Sequence, residues 1–213
     1  MFRDREQAAT LLARRLAKYK GKNPLVLALP RGAVQMAEII SNALQGELDV
    51  VLVHKLRAPY QPELAIGSVD EKGAVFIGRH ASLVGVAEEY LKKETEEQVQ
   101  MLKKRRALYT PVHSPINPAG RIVIVVDDGI ATGSSMIAAL RSLKEDKPEK
   151  IIATAAVAPF EGLQAIKAYA DEVEVLLVPE EFYAVGQFFE EFSQVSDKEV
   201  IEILKKSRLR KPC

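Results

Sequence analysis

One cysteine, Cys213, is all the chain offers, so no disulfide framework and no Cys-rich zinc site can be built from it. Charge of one sign is also scarce. The formal net charge is +1 over 213 residues, too little for a global field that would gather nucleic acid or an acidic membrane. No apolar run approaches the roughly 20 residues that a membrane helix needs. The opening MFRDREQ is charged where a secretory leader would be apolar. Internal repeats and low-complexity segments are missing too. These absences lead to the expectation of a cytoplasmic protein with no membrane and no nucleic-acid partner. What remains is a chain with 47% hydrophobic residues, enough for the core of one ordinary domain spanning 1–213.

The stretch Arg121–Met136, RIVIVVDDGIATGSSM, organises the rest. Ile122–Val126 is an unbroken apolar run rich in β-branched residues. A strand apolar on both faces belongs in the middle of a parallel sheet with helices on both sides. Asp127 and Asp128 follow at its carboxyl end, where α/β sheets bind ligands. Next comes the turn Gly129, Ile130, Ala131, Thr132, Gly133, Ser134. Met136, Ile137, Ala139, Leu140 and Leu143 then recur at helical spacing. The glycines permit a tight turn. The first amides of the helix have no partner within it and point out of its positive end, which makes a phosphate cradle. Adjacent carboxylates beside a phosphate need compensation, either from a vicinal diol that donates to them or from a divalent cation. The glycine spacing is too short for G-x-x-x-x-G-K-[ST] and the Lys is missing; G-x-G-x-x-G is absent as well.

VIVVDDGIATGSS resembles the phosphoribosyl pyrophosphate (PRPP) loop of type I phosphoribosyltransferases. The resemblance implies that Asp127 and Asp128 hold the ribose hydroxyls and that residues 129–134 wrap the 5-phosphate. It also implies Mg2+ carried with PRPP, with no dedicated metal site on the chain, and a small-molecule acceptor, in a homodimer. Hypoxanthine–guanine members carry an Asp where this chain has Ala131, which makes a hypoxanthine-type acceptor the less expected one.

Two further segments fit that family. Leu25–Leu29 reads as a short buried strand running into Pro30-Arg31-Gly32, with a helix from about Ala33 to Leu44. LALPRGAV resembles the family's pyrophosphate loop, implying that Arg31 faces pyrophosphate and Gly32 presents its amide. Asp49–Val53 is a second buried strand, and Lys55 beyond it can offer a point charge to a phosphate. Arg57–Gly67, with two prolines, reads as a loop. The resemblance makes it the flexible catalytic loop, with Arg57, Tyr60 and Glu63 as the groups it would bring in.

Elsewhere, Asp4–Lys20 reads as an amphipathic helix with a solvated basic face. Leu64–Val69 and Ala74–Ile77 read as a hairpin, and Val84–Tyr109 as a long helix whose Lys103–Arg106 run is solvated. Hairpin and helix form an insertion at about 64–109. Lys150–Val157 and Val173–Val178 are further strands. The alternation predicts an α/β fold, a parallel sheet with helices on both faces. About 179–204 corresponds to the family's base-binding hood, with Phe182 and Tyr183 as stacking candidates; the basic end KKSRLRKPC reads as disordered. The expected function is phosphoribosyl transfer from PRPP to a nitrogenous acceptor. The alternative is a non-catalytic PRPP or nucleotide sensor on the same fold.

Overall fold

The computed structural model describes residues 1–78 and 85–209, without the side chains of Pro62 and Glu63. Strands β1 (Leu25–Ala28), β2 (Glu47–Val50), β6 (Ile122–Gly129), β7 (Lys150–Val157) and β8 (Glu172–Leu177) form one sheet, in the order β2-β1-β6-β7-β8. Every pairing in it is parallel. Strand β1 has its sequence successor on one side and β6 on the other, so the winding reverses between β1 and β6. That is the switch point where open α/β sheets leave a crevice at the carboxyl ends of the strands.

The parallel sheet is buried on both faces because its residues are apolar without alternation. Val26, Ala28, Ile124 and Val126 pack into one core with helices α1 (Arg5–Arg15) and α2 (Ala33–Leu44). Leu25, Leu27, Val123 and Val125 pack into the other, against α4 (Ser134–Glu145). Helix α5 (Phe160–Lys167) joins β7 to β8. Helix α6 (Asp197–Leu209) follows a short 3-10 turn, Val185–Phe188. No helix among the described residues is long and apolar enough to cross a membrane.

A second sheet, of antiparallel strands in the order β3-β4-β5, stands beside the first: β3 (Val53–Ala58), β4 (Gln61–Asp70), β5 (Val75–Ile77). The expected hairpin at 64–77 is its β4–β5 half. The loop expected at 57–67 is instead a second hairpin, β3–β4. The prolines mislead because they lie where a ladder tolerates them: Pro59 in the turn, and Pro62 beside a register shift at Leu56–Ala58. Helix α3 (Glu88–Tyr109) packs on this sheet; the Val84 start expected for it lies outside the described residues.

Other boundaries also differ. Helix α1 stops at Arg15, and a 3-10 turn at Ala17–Tyr19 completes the segment. Strand β2 ends at Val50 rather than Val53. The basic end is helical through Leu209, because Val200 and Leu204 bury an apolar stripe of α6; residues 210–213 are outside the description. Arg106 is not solvated: it donates to Glu71 at 2.6 and 2.7 Å and to the Val50 carbonyl at 3.1 Å.

Candidate functional site

Two strand-to-helix turns meet at the switch point. After β1, the chain runs through Leu29, whose amide donates to the Val126 carbonyl of β6 at 2.9 Å, and then through a cis Pro30–Arg31 peptide. Gly32 caps α2. After β6 come the acid pair and the turn that leads into α4.

Asp127 and Asp128 lie at the carboxyl end of β6, just before Gly129 closes it. Asp127 lines a concavity of about 150 Å³ together with residues of the 129–136 turn. It also accepts the Asp128 amide at 2.8 Å. Burial, and then the charge of Asp128, push the Asp127 carboxyl well above the usual carboxylate range. Asp128 is not among the residues that line this concavity. Its Oδ2 accepts from Arg5 Nε at 3.1 Å and Nη2 at 3.0 Å.

The turn itself leaves donors open. Among the described residues, the amides of Ala131, Thr132 and Gly133 find no acceptor. Gly133 caps α4 at φ +82°, a conformation glycine adopts without cost. Thr132 Oγ1 lies 3.0 Å from Ser134 Oγ, so both hydroxyls face one small volume. The positive end of a 12-residue helix opens there.

The other expected site residues fall at different distances from this mouth. Lys55 lies on β3 opposite Ser68, and directly paired residues share one face of an antiparallel ladder. Ser68 Oγ in turn donates to the Ser134 carbonyl at 3.3 Å, so that face of the small sheet abuts the first turn of α4. Arg31 extends towards α6, with Nη1 3.5 Å from Asp197 Oδ2. Asp197 also accepts the Tyr109 hydroxyl at 2.6 Å. Burial, and then that bond, push the Tyr109 phenol upward. Arg57 is tied to α3: its amide donates to Glu94 Oε1 at 3.3 Å. Tyr60, at the hairpin tip, is 93% exposed. The Glu63 side chain lies outside the description. Phe182 is half-buried and stacks on Phe188 at 5.5 Å, whereas Tyr183 is 82% exposed.

Arg5, the partner of Asp128, is a residue that the sequence pattern does not single out. It belongs to a helix expected to carry a solvated basic face, yet it is 7% exposed. Helical spacing holds the signal: Arg5 precedes Ala8, Ala9 and Leu12 by three, four and seven residues, and so lies on their buried stripe.

A family model described as a phosphoribosyl transferase domain matches residues 4–188. A Mycobacterium tuberculosis protein named "Putative phosphoribosyl transferase", found in two strains, is 37% identical over 208 residues, covering 96% of this chain and 46% of that protein. The chain thus spans about half the length of these curated relatives. A "Uracil phosphoribosyltransferase" of Mycoplasma genitalium is 30% identical over 129 residues, 61% of this chain and 54% of that protein. The crystal structure of a Thermus thermophilus protein, TT1426, is similar with a TM-score of 0.83 at 41% identity, covering 96% of this chain and 98% of that one.

Proposed function

Because the chain belongs to the phosphoribosyl transferase family, we propose that it transfers a phosphoribosyl group from PRPP to a nitrogen of a small acceptor, a nucleobase first among them, with release of pyrophosphate. One observation carries the reading: the open amides of Ala131, Thr132 and Gly133 share a concavity with Asp127, at the switch point of the sheet. The likeness to a uracil phosphoribosyltransferase supports a nucleobase as the acceptor.

In this reading the turn amides and the Thr132 and Ser134 hydroxyls bind the 5-phosphate. Asp127 and Asp128 accept hydrogen bonds from the ribose hydroxyls, and their charge favours the positive character that develops at C1. The bond from C1 to the pyrophosphate oxygen breaks, pyrophosphate leaves with the electron pair, and the acceptor nitrogen bonds to C1 and gives up a proton. Arg31, the Gly32 amide and Lys55 offset the leaving charge, Arg31 after letting go of Asp197. The β3–β4 hairpin, with Arg57 near the end of β3, Tyr60 in the turn and Glu63 early in β4, is the element that would cover the site. Of the two aromatics, Tyr183 is the one with an exposed ring to offer a base, since Phe182 is committed to Phe188.

Magnesium fits this site as an ion delivered by the donor. Among the described residues no group of three or more His, Cys, Asp or Glu could cage a metal. An ion that favours phosphate and hydroxyl oxygens needs at most one or two carboxylates from the protein, here Asp127 and Asp128. When bound it would supply charge neutralisation on the pyrophosphate.

The test is incubation of the full chain with PRPP, Mg2+ and a panel of bases, following pyrophosphate. Release that depends on one base supports the transferase. Tight PRPP binding with no turnover on any base replaces it with the sensor reading.

A further inference from the structure

We propose that Arg5 is a positioning residue for the acid pair, holding Asp128 so that it can receive a sugar hydroxyl; this rests on the function proposed above. Arg5 comes from the first turn of α1 and meets Asp128 across 123 positions of sequence. Every nitrogen of its guanidinium is used. Nε and Nη2 both donate to Asp128 Oδ2, and Nη1 donates to the Ser193 carbonyl at 2.7 Å. The guanidinium carbon lies 3.9 Å above the centre of the Phe192 ring. Phe192 stacks in turn on Phe189 at 5.0 Å.

The arginine side chain is 8% exposed, so this is not a solvated surface pair. A buried charge bonded through each of its three nitrogens fixes its partner in one place. Two adjacent carboxylates repel each other, and the Asp127 carboxyl is raised by burial first and by that repulsion second. A guanidinium on Asp128 lets the pair coexist as acceptors for two neighbouring hydroxyls. Its hold on Ser193 and Phe192 joins that acid to the aromatic segment before α6. Arg5 itself touches no ligand; it acts through Asp128. A lysine keeps the charge but lacks the planar fork, so it cannot make these contacts together.

The test compares two ligands by calorimetric titration, each on the parent, Arg5→Met and Arg5→Lys, with thermal melts alongside. One is ribose 5-phosphate; the other is 2,3-dideoxyribose 5-phosphate, which keeps the phosphate and lacks the diol. The parent should prefer the diol by about tenfold or more, the scale of a charge-assisted hydrogen bond. Arg5→Met should lose that preference while binding the diol-free ligand as the parent does, and Arg5→Lys should recover it only in part. A preference that survives in Arg5→Met overturns the proposal. So does equal weakening of both ligands, or loss of a cooperative melt in both variants, since each marks Arg5 as scaffold alone. A parent with no preference for the diol overturns the ribose-binding function itself.

Discussion

A Cβ built on Gly32 would stand 2.3 Å from Oδ2 of Asp128 and 2.9 Å from Arg5 Nη2. The two strand-to-helix turns therefore touch through an absent side chain, and the turn between β1 and α2 seats directly on Asp128. Gly32 has ordinary helical dihedrals, φ −55° and ψ −42°, so alanine there is a matter of crowding alone. Gly32→Ala should cost about 1–3 kcal/mol in stability, the range for overpacking. It should also weaken PRPP binding by displacing Asp128. Chemical denaturation and a PRPP titration check the two effects separately; parental affinity would show that Asp128 need not hold its position.

Gly133 poses a different constraint. Its φ of +82° disfavours any side chain, and an added Cβ would lie 3.1 Å from Ile166 Cγ2. Gly133→Ala should lose about 1–2 kcal/mol of stability and lower affinity for phosphate ligands. Gly120 is the control: it has φ +68° with nothing within 4 Å of a built Cβ. Gly120→Ala should show a similar stability loss, measured by urea unfolding, with ligand affinity unchanged.

Glu172 ties β8 to the end of the N-terminal helical segment. It accepts from Lys18, from the Tyr19 hydroxyl at 2.5 Å and from Lys150 at 3.1 Å. The Lys18 bond first, then Tyr19, hold its carboxyl down to about 2 from the usual 4.5. A carboxyl depressed in the folded state adds stability above its unfolded value and loses it as pH falls towards the folded value. Glu172→Gln should therefore cost about 1 kcal/mol at neutral pH, given the partial exposure of the group. Stability curves of parent and variant should converge between pH 4.5 and about 2. A gap that stays constant across that window would assign the loss to packing.

The strand, acid pair and glycine turn of β6 are legible in the sequence because each is a local pattern: an apolar run, two charges, two glycines, then helical spacing. The order β2-β1-β6-β7-β8 is not, since no local pattern says which strands become neighbours. Arg57–Gly67 misleads because its two prolines outweigh an alternation that only the partner strand completes. Arg5 misleads for a related reason. An arginine among arginines and lysines on a helix looks solvated until the fold brings an aspartate 123 positions away against it. The Asp197 bond to Tyr109 and the Glu94 bond to Arg57 are long-range in the same way.

The most direct test is a crystal structure of the full chain with ribose 5-phosphate bound, with the phosphate and both hydroxyls located. The phosphate should sit on the amides of Ala131, Thr132 and Gly133, with the hydroxyls within hydrogen-bond distance of Asp127 and Asp128. A phosphate seated instead at Arg31, or a sugar whose hydroxyls lie away from both carboxylates, would contradict this arrangement.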